Sequence, residues 1–281
     1  MLSYRHAFHA GNHADVLKHL ILILLARYLG QKDKPYWIID THAGAGAYDL
    51  EGAHARKLAE FESGVGRLWA KQGLPEALAA YVEEVRRFNP DGRLRKYPGS
   101  PLFAQWSMRE QDRLRLFELH TSDARLLQAT FQDAGKNVIV ERTDGFAGLK
   151  ALLPPPPRRA LVLIDPSYEE KQDYERVVQA LRDSLIRFPG GVYALWYPQL
   201  TRLEAHELPQ RLKRLPAKSW LNAALRVHTP AQDGFGMHGS GMFILNPPWT
   251  LHAELAKVLP FLVEILGDDA GAGFELEQSE S

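Results

Sequence analysis

Leu161-Val-Leu-Ile-Asp165-Pro-Ser-Tyr168 decides the fold: an apolar run stops at a carboxylate, a proline and an aromatic. Four consecutive aliphatic residues fit a strand covered on both faces of its sheet. Pro166 has no N–H to give to a ladder, so the strand ends there. Asp165 and Tyr168 are thereby delivered to the carboxyl edge of the sheet, where open α/β folds bind their ligands. An acid, a carbonyl fixed by proline and an aromatic face can hold a planar amino group while the ring stacks on its heterocycle. The stretch reads as chemistry for an exocyclic amine on a base.

The same pattern recurs upstream. Pro35-Tyr-Trp-Ile-Ile-Asp40 is a first strand ending in a carboxylate, followed by Thr41-His-Ala-Gly44-Ala-Gly46-Ala. Glycines there let the backbone turn tightly and approach a ligand. Position 49 is Asp, which departs from the dinucleotide fingerprint, and no Gly-Lys-Ser/Thr follows to make a P-loop. The loop suits a nucleoside cofactor lacking phosphates, with a plain turn as the alternative. Leu114-Arg-Leu-Phe-Glu118 is the next strand ending in an acid, and Asn137 to Val140 precedes Asp144-Gly145. Asp40, Glu118, Asp144 and Asp165 would then line one sheet edge.

Glu118 arrives far later than the ribose-binding acid of a dinucleotide unit, which follows after roughly 20 residues. Residues 50–98 read as an inserted helical subdomain, with Phe61, Val65, Leu68 and Trp69 at helical spacing and Leu74 to Phe88 in the same manner. Its basic end, Arg86 to Lys96, either grips phosphates or forms a solvated loop. Ser100 is expected to cap a helix begun by Pro101, and Ser122 or Asp123 to open another. Pro154 to Pro157 stiffens the approach to the strand at 161.

The amino-terminal stretch Ser3 to Asp15 gathers aromatic, basic and imidazole groups ahead of an apolar run, Val16 to Leu25, that reads as a largely buried helix. Asn12 is a plausible cap, with Asp15 well placed in the first turn. His9 and His13 stand four apart, a spacing that can share a metal, but no third ligand is evident and no metal is expected. The stretch otherwise caps the helix or faces a substrate or cofactor.

Further along, Val192 to Tyr197 reads as a fifth strand, followed by a basic segment carrying Arg202, Arg211, Lys213, Arg214, Lys218 and Arg226. Gly234 to Gly241 is expected to be a mobile loop able to fold over a substrate, preceding a strand from Met242 to Leu245. The acidic, glycine-rich carboxyl end is expected to fray. Asn246-Pro-Pro-Trp249 also follows an apolar strand with an amide, prolines and an aromatic, but it comes late in the chain. Position favours Asp165.

Composition narrows the classes. A chain of 281 residues can bury a sizeable core as one domain or two. The absence of cysteine excludes disulfides, thiolate zinc sites and cysteine nucleophiles. No aliphatic run is long enough for a bilayer and no signal-peptide layout opens the chain, so a cytoplasmic protein without membrane attachment is expected. Formal net charge is zero, which confines any nucleic-acid surface to local patches.

These motifs resemble the RlmJ family of bacterial 23S ribosomal RNA adenine N6-methyltransferases over nearly the whole chain. The most specific matches are Leu2 to His19, Asp40 to Gly46 and the tetrad at Asp165. The resemblance implies a Rossmann-like methyltransferase fold, an α/β architecture with a mostly parallel seven-stranded sheet and a helical insertion. It implies S-adenosylmethionine as cofactor, contacted by His19, His42, Ser100, Glu118, Asp144, Gly145 and Asp165. It places the adenine-facing tyrosine at Tyr4, with Lys18 and His6 in the same matched stretch, and 23S ribosomal RNA as partner of a monomer. The family usually has Asp-Pro-Pro-Tyr, and Ser167 replaces the second proline here, which bears on how Tyr168 is oriented. On this reading Asp165 is the catalytic residue: with the Pro166 carbonyl it accepts the N6 hydrogens, while Tyr168 and Tyr4 stack on the base. A DNA adenine methyltransferase, a protein glutamine methyltransferase using Asn246, and a non-catalytic RNA-binding protein are the rival readings.

Overall fold

The computed structural model describes residues 5–280. Its strands are β1 (Trp37–Asp40), β2 (Ala47–Asp49), β3 (Lys96–Pro98), β4 (Arg113–Phe117), β5 (Val138–Glu141), β6 (Ala160–Ile164), β7 (Val192–Gln199), β8 (Trp220–Arg226), β9 (Gly239–Leu245) and β10 (Gly273–Gln278). Eight of them form one sheet in the order β10-β8-β9-β7-β6-β1-β4-β5, while β2 and β3 pair separately. The five strands from β7 to β5 run parallel, and β9, β8 and β10 are antiparallel. All five residues of β6 are buried, as a continuous apolar strand in a doubly covered sheet must be.

The chain starts at β1, moves out through β4 and β5, and returns to β6 on the other side of β1. That reversal opens a crevice at the carboxyl ends of β1, β4 and β6, the place where such folds take ligands. Residues 50–98 leave and rejoin the core through β2 and β3, whose antiparallel pairing of Asp49 with Lys96 closes the base of the excursion. Between them lie four helices, the longest Glu76–Arg87.

Helix His13–Gly30 shapes the site more than any other. Asn12 caps it by accepting the Asp15 amide at 3.0 Å. Thirteen of its 18 residues are buried, so it is sunk into the molecule rather than laid on it. Asp15, Lys18 and His19 go in with it.

Four expectations need correction. The sheet has eight strands rather than seven, because the carboxyl end does not fray. It forms β10, paired with β8 from Gly273–Arg226 to Gln278–Leu221. The glycine-rich segment is a loop only as far as His238. β9 begins at Gly239, where a Cβ would come within 2.4 Å of the Leu225 carbonyl oxygen, and at Gly241 one would meet the Tyr197 ring at 2.2 Å. Those two glycines serve close strand packing. Helix Ser100–Trp106 is capped by Gly99, which leaves the Ser100 hydroxyl for another partner. The next helix opens at Thr121, behind His120, rather than at Ser122 or Asp123.

The two proline tetrads lie at opposite edges of the sheet. β9 runs against β7, pairing Leu245 with Tyr193, so Asn246 emerges at the amino ends of the parallel strands. Its side chain is a latch: Nδ2 donates to the carbonyls of Pro189 (2.9 Å) and Gly191 (2.7 Å), and Oδ1 accepts the Lys218 amide at 3.2 Å. Its backbone is left-handed, at φ 55°. Asn246→Ala should therefore cost about 1–3 kcal/mol of stability by stranding these groups, read as a lower urea midpoint at unchanged slope. An unchanged midpoint would remove the latch.

Candidate active site

Asp165 follows the last residue of β6 and meets a cation carried by the buried helix. Lys18 Nζ donates to Asp165 Oδ2 at 2.5 Å and lies 2.9 Å from Asp15 Oδ1. The Lys18 side chain is 4% exposed and that of Asp165 is 14% exposed. Burial alone would pull the Lys18 ammonium toward neutrality, but Asp15 and Asp165 outweigh it and hold its pKa well above the ordinary lysine value. Asp15 is fully buried and would be raised by that burial, but His6 and Lys18 chiefly hold it well below the usual carboxylate range. Its Oδ2 accepts from Gly11 N at 2.8 Å and lies 2.9 Å from His6 Nε2. Oδ2 is thus the Asp165 oxygen that Lys18 engages, and Asp165 lines the crevice beside this ion pair.

The loop after β1 is fixed from below. Asp40 is 1% exposed; Ser100 Oγ donates to its Oδ2 at 2.6 Å and His42 N to its Oδ1 at 3.2 Å. Burial pushes Asp40 up to about 6. Thr41 Oγ1 lies 3.1 Å from the Leu163 carbonyl and 2.7 Å from His42 Nδ1. With its proton donated to that carbonyl, the Thr41 hydroxyl oxygen accepts a hydrogen bond from His42 Nδ1–H, which leaves Nε2 as the acceptor. Glu118 accepts Gly44 N on Oε2 at 2.9 Å and His120 N on Oε1 at 2.6 Å, and burial raises its pKa. Asp144 caps helix Gly145–Leu152 through the amides of Phe146 and Ala147, and its Oδ2 pairs with Arg176 at 2.8 Å. A Cβ on Gly145 would fall 2.1 Å from the Thr41 carbonyl oxygen, so only glycine lets these two loops meet.

Two clefts result. The first holds about 1040 Å³ of empty space, its open mouth included, and is lined by Lys18, His19, His42, Ser100, Glu118, Asp144, Gly145 and Asp165 among others. Six carboxylates line it (Glu118, Asp123, Asp144, Asp165, Glu169 and Asp173) against Lys18 and Arg176, so its potential is negative. The second is walled by Trp196, Pro198, Leu200 and Met237 as well as His6 and Arg202. His6, Lys18, Asp165, Ser167 and Glu169 belong to both. Asp165 stands in the wall between them.

The structure thus brings together His6, Lys18, His19, His42, Ser100, Glu118, Asp144, Gly145 and Asp165. Tyr4 lies outside the described residues. Tyr168 departs from its expected role as an open stacking face. Its backbone is left-handed at φ 54°, which turns the ring inward, 4.7 Å from the Tyr174 ring, and its hydroxyl donates to the Trp196 carbonyl at 2.8 Å. At 2% exposure it is the floor of the second cleft. Among the described residues no cluster of His, Asp or Glu is arranged to hold a metal, and His9 faces Glu60 at 3.0 Å.

Several contributors escaped the sequence reading. Asp15 had been read only as a first-turn acid, although its spacing of three from Lys18 was a signal for an ion pair. Tyr48 and Trp196 carry no motif, and Arg176 gives no sequence hint of its bond to Asp144.

Residues 33–277 match the family described as ribosomal RNA large subunit methyltransferase D, RlmJ. The chain is 48% identical over 262 residues to ribosomal RNA large subunit methyltransferase J of Escherichia coli K12, covering 93% of each chain. It is 44% identical to the protein of that name from Haemophilus influenzae, covering 99% of this chain and 98% of the relative. Among solved structures, a Legionella pneumophila protein superposes with a TM-score of 0.88 at 36% identity, over 96% of this chain and 98% of the other.

The half-buried imidazole of His42 sets a pH dependence. Burial lowers its pKa to about 4, with Asp165 and Asp144 opposing. A histidine lowered in the fold contributes stability that is complete above its unfolded value and is lost as pH falls toward the folded one. Between pH 7 and 5 the protein should lose about 1–2 kcal/mol that a His42→Gln variant retains, measured by paired urea unfolding. Parallel losses in the two proteins would show that His42 protonates as readily in the fold as in the unfolded chain.

Proposed function

The chain belongs to the RlmJ family of large-subunit ribosomal RNA methyltransferases, and on that premise we propose that it transfers a methyl group from S-adenosylmethionine to the N6 of one adenine in 23S ribosomal RNA. The observation that carries this reading is the meeting of two clefts at Asp165, one lined by six carboxylates and one with an apolar wall of Trp196, Pro198, Leu200 and Met237. In this reading residues 1–281 work as one methyltransferase domain with residues 50–98 inserted in it, as a cytoplasmic monomer.

The donor set of the first cleft fits the cofactor. A ligand with a sulfonium and an ammonium suits a cleft with six carboxylates and two cations. Both cations are already paired, Lys18 with Asp15 and Asp165 and Arg176 with Asp144. Glu118 is fixed by two backbone amides, which keeps its remaining lone pairs aimed for ribose hydroxyls. Asp144 and Gly145 sit beside the place for the cofactor's adenine, with His42 below and the Asp40–Ser100 pair behind. When bound, S-adenosylmethionine supplies an electrophilic methyl group on sulfur.

The chain's own residues do the rest by placement. The target adenine must leave its stack, at a cost of about a few kcal/mol, and the second cleft receives it against Trp196, Pro198, Leu200 and Met237 over the buried Tyr168. Asp165 Oδ1 and the Pro166 carbonyl accept the two N6 hydrogens and draw the nitrogen lone pair out of conjugation. Lys18 holds Oδ2 so that the carboxylate cannot rotate away. With the methyl group that a bound S-adenosylmethionine would supply passing to N6, Asp165 would be placed to receive the proton N6 gives up, or to pass it to water. Positioning dominates such a displacement.

Two variants separate the roles. Asp165→Asn should lower turnover of labelled methyl transfer to unmodified 23S ribosomal RNA by roughly 10²-fold or more while cofactor binding changes little. Glu118→Gln should weaken cofactor affinity by about 1.5–3 kcal/mol in calorimetry. Full turnover in Asp165→Asn would end the assignment. Label entering duplex DNA rather than ribosomal RNA would move the substrate to DNA.

A further inference from the structure

We propose that Asp15 is a positioning residue for this methyl transfer: it pins the Lys18 ammonium as a bridge to Asp165, and so decides which Asp165 oxygen meets the target amine. The inference rests on the function proposed above and adds a residue that acts through Lys18: Asp15 is 0% exposed and lines the second cleft beside Lys18.

The geometry is a bracket. Lys18 lies one helical turn beyond Asp15 and reaches 147 positions along the chain to Asp165. Its Nζ is 2.9 Å from Asp15 Oδ1 and 2.5 Å from Asp165 Oδ2, so two carboxylates on unrelated elements share one cation. The other groups facing Lys18 do not substitute for Asp15. His19, one residue on, is buried and held neutral chiefly by that burial. His6 lies against Asp15 rather than Lys18, Asp40 on β1 is committed to Ser100, and Trp196 on β7 offers only its ring face at 5.9 Å. Without Asp15 the ammonium would keep one carboxylate partner in a site that penalises its charge, and it would be free to follow that partner.

Asp15 has a second, purely structural duty, because its Oδ2 accepts the Gly11 amide. Asp15→Asn separates the two: the amide oxygen can still accept from Gly11, while the charge facing Lys18 is gone and an NH2 donor can take its place. Two readouts test the bracket. In free enzyme carrying labelled lysine, the Lys18 side-chain resonance should stay in its protonated position past pH about 10.4, the ordinary lysine value. In Asp15→Asn its midpoint should fall by about one unit or more, a tenfold change in proton affinity. The kcat of Asp15→Asn should then fall as pH crosses that lowered midpoint, about tenfold for each unit above it, with KM for RNA nearly constant, while wild-type kcat stays level to higher pH. A wild-type Lys18 that titrates at or below the ordinary value overturns the proposal, whether or not the variant folds. So does an Asp15→Asn protein with the wild-type Lys18 midpoint and the wild-type pH profile. Because the titration needs no substrate, a failure of methyl transfer in the wild-type enzyme would be told apart from a failure of the bracket.

Discussion

The ion pair between Lys18 and Asp165 ties together the two halves of the molecule that matter most. One partner rides on a helix sunk into the core, and the other ends the central strand of the sheet. A lone ammonium with 4% exposure would cost several kcal/mol, and removing either partner of a buried pair leaves the other uncompensated. Helix His13–Gly30 can therefore be buried with its charges only if the loop after β6 brings Asp165 to meet it. The apolar residues of that helix, Val16 to Leu25, supply the driving force for burial. The ion pair makes that burial tolerable and fixes the helix in register against the sheet edge.

Once the register is fixed, the remaining acids fall into place through topology. β1, β4 and β6 are adjacent and parallel, so Asp40, Glu118 and Asp165 reach the same edge, and Asp144 follows β5 beside them. Each is then held differently. Asp40 is closed off by Ser100, Glu118 by two loop amides, Asp144 by its helix and Arg176, and Asp165 by Lys18. Four carboxylates on one edge thus keep four distinct duties.

The elements read correctly from sequence were those whose signal is local. β6 is an unbroken aliphatic run because a parallel strand is covered on both faces, and Asn12 caps the buried helix through an amide three residues away. What could not be read depends on distant partners. β10 is polar and mostly exposed, and its order comes from the ladder with β8 rather than from its own residues. Ser100 looked like a cap because serine before proline often is one, but Asp40, 60 positions earlier, claims its hydroxyl. Asp15 was visible as a helix-start acid, yet its value lies in facing Lys18 and His6 at once. Tyr168 was placed on the right loop and aimed the wrong way, since its left-handed backbone sends the ring under the cleft.

The two clefts divide the chemistry by charge. The acidic one repels phosphate and welcomes a cation, whereas Trp196, Pro198, Leu200 and Met237 make the second hospitable to a neutral planar ring. A nucleic-acid backbone cannot follow its base into such a place without bringing anionic phosphates against Glu169 and Asp165. On the function proposed above, the base enters alone, rotated out of its stack, with Arg202 in the second cleft as a cation for its phosphates. With a formal net charge of zero, the chain offers the backbone only such local cations. Selection then falls on how easily an adenine can be extruded, which favours loops and helix ends over continuous duplex.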